Sequence, residues 1–534
     1  MTLSRSTRTK ALGLLALAAP VVGLTGCGDL SVDPYSQIPA DQFFRTEEEV
    51  LAALAPVYAN LRNLLTNNGY HGISQVMSDE TIVPTRGTDW GDGGAWLQLH
   101  RQTWGSSHPF VNDTWNVANT GIARANGVLA NLETATIPNK EAVTAETRAL
   151  RAYYYYVLLD LFGRAPIVGD EPGEFLPDAN DPPPAAKRSE LFAFVESEFV
   201  AARAGLPATQ AQRGRMGQDT IDAILANMYL NAQVFSGEVT ASGLQRGTAQ
   251  WQKAFDKADG LIRSGRYTLV SNWASVFSPG NENNQEHIFT IQHQAVAGLG
   301  VSFINRSLHY NSTNVGAWNG FSAIAETYNS FNPTDPRRRG FAVGPQVNFN
   351  TGAPINDRQN NRLNFTLTFD KRTNPAVQDI EDAIDYAGAR FIKFPADPAE
   401  VGGNHGNDYP LFRLGEMYLI RAEAAFELGN TAQALTDINA IRARVGVAPR
   451  TTLTRETILL ERLYEMNYEM RRRQDLIRAS ESTPSTDVST PRGAGNLFTR
   501  ARPFKPQTEP FRVVLPIPQN QINANPALTQ NAGY

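Results

Sequence analysis

The chain has 534 residues, with 48 Lys and Arg against 53 Asp and Glu, and a single cysteine, Cys27. The net charge of −5 falls to about −8 once the three basic residues of the leader are removed, which argues against nucleic-acid binding and suits a water-facing binder. One cysteine excludes an intramolecular disulfide, so roughly 500 residues must be held by burial and hydrogen bonding.

The first segment reads as a leader. Arg5, Arg8 and Lys10 precede an apolar stretch from Ala11 to Leu24, broken by Pro20 and shorter than the roughly 20 residues a membrane span needs. Leu24-Thr25-Gly26-Cys27 follows and resembles the lipobox read by lipoprotein signal peptidase. Residues 1–26 are therefore expected to be cleaved, with Cys27 lipidated and the body tethered to a membrane by acyl chains alone. An ordinary secretory signal with an incidental cysteine is the alternative.

Beyond a Pro-containing segment, Thr46 and Glu49 form a capping box ahead of Val50, Leu54, Val57, Leu61 and Leu65, predicting a helix over about 47–66. Amphipathic stretches predict further helices around Val111 to Leu132 and over about 141–162, 189–204, 219–235, 250–264, 409–428, 431–444 and 455–478. Residues 67–109, rich in Gly, Asp, Thr and Trp, and 278–407, rich in Asn, Gly and Pro, do not read as helix, the second carrying only short strand-like runs such as 287–292 and 390–394. The tail ends in an apolar run, Val513-Val-Leu-Pro-Ile-Pro518, that should dock on the body.

Two helix pairs share a spelling. Ala226-Asn-Met-Tyr-Leu-Asn-Ala232 leads into Trp251-Gln-Lys-Ala254 as Tyr418-Leu-Ile-Arg-Ala-Glu-Ala424 leads into Ala432-Gln-Ala434. Small residues at these positions let the helices of a hairpin approach closely, the packing logic of tetratricopeptide repeats, with Gly429 placed to close the first helix of the second pair. A generic helical bundle with Ala-rich interfaces remains the alternative on the repeats alone.

At this point the chain resembles the SusD/RagB family of surface lipoproteins that partner TonB-dependent outer-membrane transporters in nutrient uptake. The resemblance covers nearly the whole length and rests on the order of blocks that are individually weak. These are the lipobox, Asp41-Gln-Phe-Phe-Arg-Thr-Glu-Glu48, Arg148-Ala-Leu-Arg-Ala-Tyr-Tyr-Tyr-Tyr156 with Leu161-Phe-Gly-Arg-Ala-Pro166, Tyr267 to Phe277 leading to Glu286, and Asp335-Pro-Arg337. Arg413 to Ala424, Glu461-Arg462, Glu465, Glu469 to Arg472, Asp475-Leu-Ile-Arg478 and the terminal Asn525 to Tyr534 complete the order. Ala532 stands where Pro is commoner in the family. The resemblance implies an all-α dominated fold of tetratricopeptide-like hairpins in an α-α superhelix, with long irregular inserts, few strands and the ligand site on the loop side. It also implies a lid-like role over a SusC-like transporter barrel and capture, without cleavage, of an oligosaccharide or in some members a peptide.

Following this resemblance, residues 27–534 are expected to form one domain: a helical part over about 41–277, a loop-rich insert over about 278–407, and a C-terminal helical part with its tail over about 408–534. Four of the seven tryptophans lie between positions 90 and 115. Trp90 and Trp96, in the Gly-rich stretch with Asp79, Arg86, Asp89 and Asp92, supply the mixture of ring faces and charged groups that stacks a sugar ring and fixes its hydroxyls. Their alternative role is to pin a long loop to the frame, a role that fits Trp104 better than ligand contact. Trp115, Trp251 and Trp273 are expected to pack. A second aromatic group, Tyr310, Trp318, Asn319 and Phe321, could form the facing wall.

No Gly-x-Ser-x-Gly elbow, His-Glu-x-x-His helix or phosphate-binding Gly-rich loop occurs, and no carboxylate pair stands out, so no catalytic residue, metal or cofactor is assigned. His287 and His293 share strand parity but have no third ligand. The reading is a non-catalytic nutrient-capture lipoprotein of the outer membrane. An envelope scaffold that binds protein through its helical array is the alternative, and a glycoside hydrolase the third.

Overall fold

Thr46 caps the first helix as its spacing predicts: its side chain accepts from Glu49 N at 3.2 Å, and the Glu49 carboxylate accepts from Thr46 N at 3.2 Å. The computed structural model describes residues 44–169, 171, 173–178, 180–480 and 497–534. The leader, Cys27 and the start of the Asp41 block lie outside the described residues.

Helix α1 (Glu47–Ala59) passes into a 3-10 turn over Asn60–Leu65, and short helices α2 (Tyr70–Met77) and α3 (Ala95–Arg101) follow where only loop was expected. The array proper runs through α4 (Pro109–Thr134), α5 (Lys140–Leu161), α6 (Arg188–Ala204), α7 (Gln218–Leu230), α8 (Ala232–Phe235) and α9 (Trp251–Arg263). After the insert, which carries α10 (Ala325–Ser330), come α11 (Leu414–Glu427), α12 (Thr431–Arg444), α13 (Arg455–Met466) and α14 (Arg472–Ala479).

Each helix packs on the next: α4 on α5, α5 on α6, α6 on α7, α7 on α9, α9 on α11 and α11 on α12. The step from α9 to α11 crosses the whole insert, so the array is continuous in space although interrupted in sequence. Small residues set the spacing, as the tetratricopeptide-like spelling predicts. A Cβ on Gly121 would run into the Tyr154 ring, whose hydroxyl crosses to Val57 O at 2.6 Å. Between α11, α12 and α13, Leu419, Ala422, Ala425, Ala434, Ile438, Ile441 and Ile458 form one buried cluster. Gly429, at φ +82°, makes the left-handed turn that closes α11. All four tyrosines of the Tyr153–Tyr156 run are buried, although consecutive positions point all round a helix.

Two expected helices are shorter than their patterns. Tyr409–Arg413 is a strand, antiparallel to His287–Ile291 with Tyr409 opposite Ile291 and Arg413 opposite His287. This ladder joins the two feet of the insert and rests on α7. The helix over 455–478 breaks after Met466, where Tyr468 and Met470 take positive φ. The break sends Arg471 to Glu416 (2.6 Å), Arg472 to Asp79 (2.7 Å) and Arg473 to Asp160 (3.0 Å), partners remote in sequence.

Four of the blocks on which the family resemblance rests, those carrying Glu286, Asp335 and Arg337, Arg413, and Glu461 to Glu469, meet in one buried charge network. Arg413 reaches Glu286, Glu465 and Glu469, each at 2.7 Å, and Arg337 reaches Asp335 and Glu461 at 2.8 Å and Glu465 at 3.3 Å. Lys393 pairs with Glu469, and Arg444 with Glu286 at 2.8 Å. These motifs clamp the insert to α13 and the segment after it. Among the described residues no helix is long and apolar enough to cross a membrane.

Candidate functional site

Thr81–Ile82 and Ser322–Ala323 form a two-residue antiparallel ladder, Thr81 opposite Ala323 and Ile82 opposite Ser322. It sets the Gly-rich loop after residue 82 beside the Asn/Gly-rich loop before residue 322, so the two aromatic groups meet. The Trp90 indole N–H donates to the main-chain carbonyl of Trp318 at 2.5 Å, and the Tyr310 hydroxyl donates to the Asp89 carboxylate.

Backbone geometry aims these side chains. Arg86 and Asp89 close a tight turn through Gly87 (φ +69°), with Arg86 N to Asp89 O at 2.9 Å and Asp89 N to Arg86 O at 3.2 Å. Trp90 and Asn319 both hold positive φ, 59° and 52°. A Cβ on Gly320 would enter the Trp90 ring, so only glycine lets that ring lie against the neighbouring strand of chain.

On the surface, Trp318 is 37% exposed and Trp90 half-buried. Beneath them lies a layer of packed rings. Trp90 meets Trp96 and Phe321 edge-on with centroids at 5.7 and 5.8 Å, while Trp96 lies 5.2 Å from Phe321 and 4.5 Å from Phe110.

Beside the rings sits a charged corner. Arg358 is held from behind by buried Asp385 through two bonds of 2.7 Å, lies over the Tyr310 ring at 4.6 Å, and meets Asp89 at 3.3 Å. Burial raises the Asp385 carboxyl, but the Arg358 pairing overcomes it and holds the group below the usual aspartate range. The hydrogen bonds that Arg358 donates to Asp385 raise the guanidinium further, so the pair is ionised. The side chains of Arg358 and Asp89 remain 42% and 37% exposed, and Asn311 and Asn314 lie exposed on the same loop as Trp318. An exposed indole beside fixed donors and acceptors can stack on one face of a sugar ring and hydrogen-bond its edge.

Several expected site residues have other places. Trp96 is on helix α3, 2% exposed, with its N–H on Asp92 at 2.7 Å; it supports the platform from below and offers no face to solvent. Arg86 is fully buried and ties three loops together, donating to Asn319 O (2.7 Å), Ile384 O, Ser322 Oγ (3.0 Å) and Ala387 O (2.8 Å). Burial lowers it to about 10. Asn319 is also buried, its amide donating to Asp385 O at 3.1 Å and accepting from Arg390 at 2.8 Å. Asp79 is taken up by Arg472 and joins the helical body rather than the platform. Asp92 is exposed and reaches the platform only through Trp96.

Trp90, Trp318, Tyr310 and Asp89 are thus brought together. Arg358 and Asp385 complete the group, although neither stands out by spacing or motif. The remaining tryptophans mostly pack: Trp104 is 1% exposed and donates to the Tyr534 hydroxyl at 2.7 Å, Trp115 meets Phe162 edge-on at 4.9 Å, and Trp273 is 8% exposed. His287 and His293 are buried, and burial lowers them to about 4 and 3. Among the described residues no group of three or more His, Cys, Asp or Glu could hold a metal ion.

Two family models cover the chain on either side of α9: the SusD family over residues 274–534, and "Starch-binding associating with outer membrane" over residues 31–248. The chain belongs to the SusD/RagB family. Among curated SusD relatives it is 27% identical to the starch-binding protein SusD of Bacteroides thetaiotaomicron, over 73% of this chain and 72% of that protein. It is 25% identical to SusD-like protein P25 of Formosa agariphila, over 95% and 96%. Solved SusD-like structures share the fold. A laminarin-binding SusD-like protein superposes with a TM-score of 0.69 at 21% identity, covering 92% of this chain and 100% of that one. Surface glycan-binding protein A from Bacteroides uniformis gives 0.68 at 20%, covering 91% and 99%.

Proposed function

We propose that this protein captures an oligosaccharide at the bacterial surface, without cleaving it, and passes it to a TonB-dependent outer-membrane transporter of the SusC type. The observation that carries the reading is the exposed Trp318 ring beside Trp90, flanked by Asp89, Tyr310 and the Asp385-anchored Arg358. Rings contribute stacking with little entropy to lose, and the charged corner selects the hydroxyl pattern. The names of the relatives, starch-binding and laminarin-binding, support a glycan over a peptide. The lipobox-like run at Cys27 and the outer-membrane association named in the family description support attachment at that membrane. A tethered binder delivers nothing across a membrane by itself, which is why a transporter partner belongs to the reading.

Isothermal titration against a panel of oligosaccharides and peptides tests the capture step: at least one glycan should bind the wild type and fail to bind Trp318→Ala. Affinity purification from detergent-solubilised membranes tests the partner. Recovery without a TonB-dependent barrel would favour protein scaffolding by the helical array.

A further inference from the structure

Arg188 opens helix α6 and is 2% exposed, yet among the described residues it makes no hydrogen bond or ion pair; its Nε and Nη1 are enclosed without a partner. Nearby Arg473 shows the ordinary solution, with Asp160 at 3.0 Å and Val513 O at 2.6 Å. The guanidinium lies 5.9 Å from the Phe235 ring, and Asp160 and Glu238 attract it from beyond ion-pair distance, but no acceptor faces it; a desolvated guanidinium without acceptors is unfavourable, and in folded proteins such a group is hydrogen-bonded. Its surroundings supply no acceptor but do supply space.

Arg188 lines a pocket of about 170 Å³ at the end of α5, together with Gly163, Arg164, Glu238, Gln530 and Asn531. Gly163, at φ +71°, turns the chain out of α5 so that its Cα lies against the Arg188 side chain and Arg164 follows at the pocket wall; an added Cβ would sit 3.3 Å from Arg188 Cδ. Arg164 also makes no hydrogen bond or ion pair among the described residues, and Glu238, on the same pocket wall, makes no ion pair with either arginine although its charge attracts Arg188. Gln530 is already committed to Ile517 and the Asn531 N–H, and the Asn531 amide donates to Phe162 O and Leu515 O. The unspent donors are the two guanidinium groups. The volume is below the roughly 300–1,000 Å³ of pockets that enclose larger organic ligands, so the occupant is compact.

We propose that this pocket holds a compact tetrahedral oxyanion, sulfate or phosphate, paired with Arg188 and Arg164. Two arginines lining one small volume supply forked donors that match the oxygens of such an anion. The assignment is independent of the glycan platform. The recognised chemistry is the same whether the ion is free or an ester on a larger molecule.

Equilibrium dialysis of the full chain with radiolabelled sulfate and with phosphate, at ionic strength fixed with chloride, tests it. Stoichiometry is the readout because sulfate stabilises proteins generally by exclusion from their surface. One ion per chain is expected in the wild type, with affinity at least ten-fold weaker in Arg164→Ala and binding abolished in Arg188→Met. Arg164 is only half-buried, so its variant reports on binding even if Arg188→Met does not fold. Competition by a sulfated monosaccharide would support an ester-bearing ligand, and its failure to compete would support the free ion. Absence of saturable binding in the wild type, or equal binding by wild type and Arg164→Ala, overturns the proposal.

Discussion

The Trp90 indole is hydrogen-bonded to the carbonyl of Trp318, a residue 228 positions further along the chain. That bond joins two loops that share no sequence pattern, and Trp318 is the more exposed of the two residues. The pair divides labour: Trp318 presents its face, while Trp90 holds the loop that carries Trp318 and rests on Trp96 and Phe321.

Trp318→Ala should therefore weaken glycan binding by about 1 kcal/mol or more with no measurable change in thermal unfolding, because it removes a stacking face without opening a cavity. Trp96→Ala should do the opposite first, costing about 3–5 kcal/mol of stability as expected for a buried large aromatic. Calorimetric binding and unfolding on both variants distinguish the roles. A stable Trp96→Ala with normal packing would refute the layer described here.

Asp385→Asn should loosen Arg358 and weaken binding by about 1 kcal/mol, modest because the arginine is partly exposed. The pH dependence follows from the sign of the Asp385 shift. Its folded pKa lies below the unfolded value of about 3.9, so the stabilisation is complete above that value and is lost as pH falls through the folded one. Binding should be level from pH 8 to 5 and decline only below about pH 4. A decline centred near pH 6 would place control in another group.

The helices were legible in the sequence because burial on one face imprints a 3.6-residue period, as in α4 and α12. Tyr409–Arg413 was not, because all five residues are buried and no alternation survives to separate strand from the start of α11. Trp96 misled for a different reason. Its helix is only seven residues long, starts after Gly94 in a left-handed conformation and has no side-chain cap, so the local composition reads as loop. At the platform, the aromatic residues could be found by exposure-tolerant composition, but Arg358 and Asp385 pair through loop geometry that no local pattern encodes.

Arg413→Met should cost about 3–5 kcal/mol, since it removes the cation shared by Glu286, Glu465 and Glu469 and leaves the buried network with an excess of negative charge, only partly balanced by Arg337, Lys393 and Arg444. Adding Glu465→Gln should recover part of that loss by removing one carboxylate from the network. Urea unfolding of the single and double variants gives the coupling directly; additive losses would mean the groups are not one network.

Cys27→Ser should abolish lipid attachment while leaving a full-length body that folds normally, because no other cysteine can accept an acyl chain. Metabolic labelling with radioactive palmitate reads the result, and label retained in the variant would show that Cys27 is not the anchor.

Glu80 gives a sharper test of the junction between the insert and the helical body. It is 1% exposed, accepts from Asn467 at 3.2 Å and lies next to the Asp79–Arg472 pair, and burial raises its carboxyl to about 8. A raised folded pKa means the group favours folding most below its unfolded value of about 4.3, and that contribution is lost as pH rises towards 8. Glu80→Gln cannot titrate there, and every other group is common to both proteins. The wild type should therefore lose stability relative to the variant by about 1.4 kcal/mol per pH unit between pH 5 and 7, with the difference levelling off above pH 8. Denaturant unfolding at pH 5, 7 and 9 measures it. A difference that stays constant across the three values would mean that Glu80 is ionised throughout, with Asn467 and Arg472 compensating its charge.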